Sequence, residues 1–219
     1  STEVYAGGSL SVANHLAGIC DDVTLITMFG NSDDYDKFIY DHLNEKIKIK
    51  SVRQLGIPTI QKKRYVDTHT GNKLFEIYTL DDAPLEPKTE KDILELIDTT
   101  MGEVDLVIVS DYGHGMITDK VVKKLEQTAP YLAVNTQANA GNRGFNNISK
   151  YSKADYVCLN GGEVRLETRK KDEDYKILIK EIATNIECNK FTITLGRNGT
   201  LHYEAEDMFL EAPALASNI

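Results

Sequence analysis

From residue 106 onward the chain alternates short β-prone runs with helical segments, and this rhythm constrains the fold more than any other feature of its 219 residues. Residues 106–110, 131–135, 156–159 and 191–195 read as strands, with helical character over 118–127 and 172–186 between them. Strands separated by a helix-length crossover pair in parallel, because an antiparallel neighbour needs only a tight turn. The expectation is an α/β fold with a mainly parallel sheet flanked by helices. Residues 200–203 and 208–212 predict a closing hairpin.

Before residue 106 the pattern is less uniform. The pair Gly7-Gly8 leads into residues 11–19, where Val12, Leu16 and Ile19 share one helical face. The run 23–28 is apolar and β-rich, ends at Gly30 and Asn31, and precedes a helical segment over 34–44. Within 49–80, two β-prone segments, 59–67 and 73–80, are joined by Thr68-His69-Thr70-Gly71-Asn72, a hairpin signal. Residues 49–80 are therefore expected to form a small antiparallel β flap or lid inserted in one core spanning 1–219. Pro84 and Pro87 then punctuate the chain before helical 90–101.

Bulk properties narrow the function. Hydrophobic residues make up 41%, enough for one sizeable core. A net charge of −9 argues against a general electrostatic draw to nucleic acid or an anionic membrane, yet leaves an ATP site open, since such a site needs only local N–H donors and a few cations. The apolar runs are too short to cross a bilayer. Cys20, Cys158 and Cys188 are odd in number and widely spaced, without a CxxC or zinc-like pattern, and read as free thiols of a reducing cytoplasm.

In parallel α/β sheets ligands bind beyond the carboxyl ends of the strands, and four motifs fall at such ends or at a helix start. Gly7-Gly8-Ser9-Leu10-Ser11 opens a helix, where missing Cβ atoms let a ligand approach the backbone; a turn with a Ser N-cap explains it equally. Ser110-Asp111-Tyr112-Gly113-His114-Gly115 places an acid and a loop after a strand, with plain turn chemistry as the rival. Asn160-Gly161-Gly162-Glu163 offers an amide and a carboxylate suited to hydrated Mg²⁺ near phosphates, or simply an N-cap with its capping-box partner. Thr194-Leu195-Gly196-Arg197-Asn198-Gly199 suits a nucleotide approaching the backbone, or an ordinary glycine hairpin.

Taken together and in this order, the four motifs resemble the PfkB, or ribokinase-like, carbohydrate kinases over essentially the whole chain. The resemblance implies a sugar-binding role for Gly7, Gly8 and Ser11, and an ATP-binding role for Asn160, Glu163, Thr194, Gly196 and Gly199, with Glu163 orienting Mg²⁺ through water. Pro58-Thr59 with Lys62 and Arg64, and Ser110-Asp111-Tyr112 with Gly115, look like the heptose-phosphate kinases of ADP-heptose synthesis. On that likeness Lys62, Arg64 and Asp111 join the substrate side, paired cations suiting a phosphorylated sugar; a solvated basic strand face is the alternative. Departures from the pattern are Ser11 for a usual Asn, Tyr35 for a Gly, Leu159 for a Pro, and Asn135-Thr136-Gln137 for an acid-Pro-basic triplet, followed by an Asn-rich tract. These departures are similar to a subgroup fused to nucleotidyltransferase domains.

The resemblance implies ATP and Mg²⁺ as cofactors, a sugar or sugar phosphate as substrate, a cytoplasmic location, and a homodimer contact through the flap. The family's Gly-Ala-Gly-Asp, with its general-base Asp, is expected after Ile219, and a first strand with a sugar-binding acid before Ser1. Residues 1–219 alone are then expected to be inactive. Two rivals stay open: a catalytically silent sugar- or nucleotide-binding module of a larger protein, and a dinucleotide-binding domain, which the sequence disfavours because no GxGxxG opens a βαβ unit.

Overall fold

The computed structural model describes residues 2–31, 35–81, 83–139, 141–142 and 144–215. The chain divides into two compact units, Ser1–Leu96 with His114–Met116, and Ile97–Gly113 with Ile117–Ile219.

In the first unit, α1 (Ser9–Ala17) leads to β1 (Val23–Phe29), and α2 (Asp36–Asp41) connects β1 to β2 (Ile47–Arg53). The two strands pair in parallel from Val23 opposite Ile47 to Phe29 opposite Arg53. β1 buries every second residue, as a strand with one covered face must. The cover is α1, whose Ala13 and Ala17 pack with Val23 and Leu25, with Leu10, Leu16, Cys20 and Ile47 around them. The expected start of the second helix at Asp34 lies outside the described residues.

β3 (Gln61–Val66) and β4 (Lys73–Thr79) form a separate two-stranded antiparallel sheet, as expected of a flap. Its lower boundary moves, however. Residues 49–53 belong to β2 and pair with β1, so the hairpin begins at Gln61. Period-two alternation of Ile and Lys from Ile47 fits a half-covered strand of either sheet, and only pairing decides between them. α3 (Pro87–Met101) follows in the chain.

The second unit holds β5 (Val107–Asp111), α4 (Asp119–Thr128), β6 (Leu132–Thr136), β7 (Tyr156–Asn160), α5 (Gly161–Thr168), α6 (Tyr175–Asn185), β8 (Lys190–Thr194), β9 (Thr200–Glu204) and β10 (Met208–Ala212). The sheet order is β10-β9-β8-β7-β6-β5, with β5 to β8 parallel and β9 and β10 antiparallel at one edge. Helix-length connections produce the parallel part, and the three-residue turn Gly196–Asn198 permits the reversal into β9. α6 turns Leu178, Ile179, Ile182 and Ala183 inward, where Val157, Leu159, Phe191 and Ile193 are also buried. At about 25 cal/mol per Å² of apolar surface, each such aliphatic side chain contributes roughly 1.5–3 kcal/mol.

Cys20, Cys158 and Cys188 are free thiols, and burial pushes Cys188 up to about 11, away from reactivity. No described helix is long and apolar enough to cross a membrane.

Candidate functional site

An open cleft of about 500 Å³ lies at the carboxyl ends of β7 and β8, lined by Asn160, Gly161, Gly162, Tyr175, Thr194, Leu195 and Asn198. Asn160 and Thr194, 34 positions apart in sequence, become neighbours because they are register partners at the ends of two parallel strands. α5 starts directly from Asn160, so its first backbone N–H groups border the same space.

The helix start is closed by a complete capping box. The Asn160 side chain accepts from the Glu163 backbone N–H at 2.9 Å, and Glu163 Oε2 accepts from the Asn160 N–H at 2.8 Å. Glu163 Oε1 accepts from the Ala138 N–H at 3.1 Å. Burial pushes the Glu163 carboxyl upward, and the N–H groups of Asn160 and Ala138 oppose that shift. Both oxygens thus hold backbone, so in the apo geometry Glu163 serves the capping box and the Ala138 loop. No cluster of three or more His, Cys, Asp or Glu among the described residues could hold a metal ion.

The two glycines after β8 differ in what they do. Gly196 has φ 56° and open space where a Cβ would stand, while Gly199 has φ 82° and a Cβ there would come within 2.0 Å of Ala212 O. Gly199 is required by the backbone of the β10 end; Gly196 has open space beside it and is not among the cleft's lining residues.

Asp111 ends β5 and is buried rather than presented. Its Oδ1 accepts from the Gly113 N–H at 3.0 Å, its Oδ2 accepts from the Tyr151 hydroxyl at 2.9 Å, and Lys150 pairs with it. Burial, and then the Asp111 charge, push the Tyr151 phenol far upward, so it stays a donor. Asp111 is expected on the substrate side; in the structure it is buried, and its charge is paired, as a buried charge must be. The Asn-rich tract supports the same loop. Asn139 Nδ2 donates to Tyr112 O at 2.9 Å, Asn142 Nδ2 to Tyr112 O at 2.6 Å, and Asn146 Nδ2 to Asp111 O at 2.9 Å. The amides of this Asn-rich tract satisfy carbonyls that leave the sheet at strand ends.

The remaining sugar-side residues lie in the first unit. Gly8, at φ 61°, is the N-cap of α1 without a side-chain cap bond, so Ser9 is the first helical residue rather than a cap. Gly7 and Ser11 are exposed. Lys62 and Arg64 share one face of the hairpin with Glu76 and Tyr78. Arg64 is ion-paired with Glu76, and hydrogen bonds from Arg64, then Lys73 and Tyr78, hold Glu76 down to about 2. Lys62 lies 5.3 Å from the Tyr78 ring centroid, and burial lowers its ammonium. Tyr35 donates to Gln61 Oε1 at 3.1 Å, tying the start of α2 to β3.

Tyr175 belongs to none of the four motifs. The usable signal was an aromatic 13 residues after the strand-end glycine pair, on the edge of an otherwise charged segment.

No family model matches the chain. It is similar to the bifunctional protein HldE of Hyphomonas neptunium, at 24% identity over 212 residues, 91% of this chain and 42% of that protein. It is also similar to HldE of Campylobacter jejuni, at 27% over 214 residues, 95% of this chain and 43% of that protein. The chain thus spans less than half the length of these relatives. Among solved structures it resembles phosphofructokinase-2 from Escherichia coli in complex with fructose-6-phosphate, with a TM-score of 0.71, 14% identity, and coverage of 94% of this chain and 67% of that one. Ribokinase from Thermotoga maritima matches with a TM-score of 0.68 and 19% identity, over 96% of this chain and 65% of that one. At these identities the structures establish a shared fold.

Proposed function

We propose, from the premise that this is a ribokinase-like carbohydrate-kinase chain related to HldE, that it supplies the nucleotide and sugar sites of an ATP-dependent sugar-phosphate kinase, with a heptose phosphate as the favoured substrate. The cleft at the ends of β7 and β8 carries the proposal. There Asn160, Thr194 and the N-terminal amides of α5 surround a space open to solvent, the arrangement that binds phosphate through oriented N–H groups. Phosphoryl transfer depends mainly on positioning and charge stabilisation. In this reading Gly196 admits the nucleotide, Thr194 and Asn160 flank it, and Gly199 and Glu163 fix the loops. Asn160 and Glu163 would be the groups that orient Mg²⁺, through water, and the ion would supply charge stabilisation at the phosphates.

On the sugar side, Gly7, Gly8 and Ser11 present the start of α1, and Lys62 and Arg64 take the sugar's phosphate, Arg64 exchanging Glu76 for it. Asp111 contributes by fixing its loop. A fused nucleotidyltransferase domain in the whole protein fits the relatives' bifunctional name.

The test is calorimetric titration with ATP, ADP and NAD. ATP and ADP are expected to compete for one site while NAD gives no heat; binding of NAD alone, or of no nucleotide at millimolar concentration, ends the kinase reading.

The opposite face of the hairpin carries Tyr65, Phe75 and Ile77, with the Tyr65 and Phe75 rings stacked at 4.4 Å and Phe75 and Ile77 about half exposed. A two-stranded sheet is marginal alone, and this face joins exposed apolar side chains to Lys63, whose ammonium lies 5.2 Å from the Tyr65 ring centroid, so we assign it to a homodimer contact. Sedimentation is expected to show a dimer that Phe75→Lys dissociates; a wild-type monomer at tens of micromolar, about the range of weak dimers, refutes the assignment.

A further inference from the structure

Tyr175, the first residue of α6, is held in the cleft by a cation that does not itself line it. Arg165 of α5 places its guanidinium 4.3 Å from the Tyr175 ring centroid and donates from Nε to the phenolic oxygen at 3.1 Å. The same guanidinium donates from Nη1 to Lys170 O at 3.2 Å and to Glu173 O at 3.1 Å. Arg165 thereby ties down the connection between the two helices and sets the ring orientation. The hydroxyl ends beside the start of α5: a Cβ on Gly161 would lie 2.7 Å from it. Three features converge at this point, namely the N-terminal amides of Gly161 and Gly162, the Asn160 cap, and a phenol whose lone pair is occupied by an arginine. A phenol that accepts from a guanidinium keeps its own proton to donate, and that proton is polarised toward an acceptor. Negative charge is the ligand chemistry this corner favours.

The geometry points to Tyr175 as a ligand-contacting residue that donates a hydrogen bond to a phosphate oxygen of the bound nucleotide, with Arg165 as its positioning residue. The inference rests on the nucleotide reading of the cleft. It adds a side-chain donor that none of the four motifs contains, and it explains why the first position of α5 is a glycine, since any side chain there displaces the hydroxyl.

Tyr175→Phe keeps the ring and its stacking on Arg165 and removes only the hydroxyl. ATP titrated into this variant is expected to bind about tenfold more weakly, the usual worth of a hydrogen bond to a charged group. Adenosine, measured by competition against a fluorescent nucleotide, is expected to change less than about twofold, because it has no phosphate to lose. Gly161→Ala provides a second route: it favours the helix yet pushes the hydroxyl aside. It is expected to weaken ATP binding in the wild type and to add little in the Tyr175→Phe background. Wild-type affinity for ATP in Tyr175→Phe, or equal losses for ATP and adenosine, overturns the inference while leaving the nucleotide site intact. A wild type that binds no ATP overturns the nucleotide reading itself, and that result is read before any variant is made.

Discussion

Residues 1–219 by themselves are expected to transfer no phosphoryl group to any sugar phosphate at a measurable rate, even when folded and nucleotide-bound. None of these residues matches the Gly-Ala-Gly-Asp element to which the PfkB resemblance assigns the general base and the anion hole. General-base assistance contributes about 10²–10⁴-fold, and a single anion-hole donor about 10²–10³-fold. The expected deficit is therefore at least about 10⁴-fold relative to a chain that carries the element. A coupled ADP-release assay with heptose 7-phosphate and fructose 6-phosphate measures it, run beside a ribokinase-like kinase that carries the element. Turnover by residues 1–219 at ordinary kinase rates of about 1–100 per second rules out this division of labour, because a base would then have to lie among residues assigned here to binding.

Gly199→Val is expected to act on stability before it acts on nucleotide binding. Gly199 sits at φ 82° and ψ −136°, a region that β-branched residues do not occupy without strain. A Cβ there meets Ala212 O at 2.0 Å and Ala214 N and Pro213 C at 2.9 Å, all backbone, so no rotamer change relieves the contact. Strain of about 1–3 kcal/mol and overpacking of a similar size add to roughly 2–6 kcal/mol, a large part of the total stability of an ordinary domain. The melting temperature is expected to fall on the order of 10 °C, with the β9–β10 edge losing amide protection first. Gly196→Ala is the contrast. Its φ of 56° costs about 1 kcal/mol for a non-glycine residue, but nothing lies within 4 Å of the added carbon, so any loss of ATP affinity there reflects the ligand and not the fold. Equal melting temperatures for Gly199→Val and the wild type would show that the backbone of the β10 end yields more easily than its geometry implies.

The fold was largely legible in the sequence because it follows from local regularities. Helix-length spacers between apolar strands dictate parallel pairing wherever the chain runs in three dimensions, and the hairpin signal at Thr68 to Asn72 dictates an antiparallel pair. The placement of Asn160 and Thr194 was legible for the same reason: the topology alone puts the end of a parallel strand at the edge of the sheet, and both residues line the cleft there. Contact partners are not a local property. Ile47 to Arg53 alternates as a strand of either sheet, and only pairing with β1 removes it from the flap. Asp111 follows a strand as a ligand-binding acid would, yet some forty residues on Lys150 pairs its charge and the Tyr151 hydroxyl donates to it. Glu163 satisfies both a capping box and a metal-site pattern in sequence, and only folding brings the Ala138 N–H, 25 residues upstream, onto its second oxygen. Tyr175 carried no motif and reached the cleft because Arg165 bends the connection between two helices. Periodicity and turn chemistry act over a few residues and can be read along the chain, whereas the charge state and availability of a side chain depend on groups that only folding brings within a few ångströms.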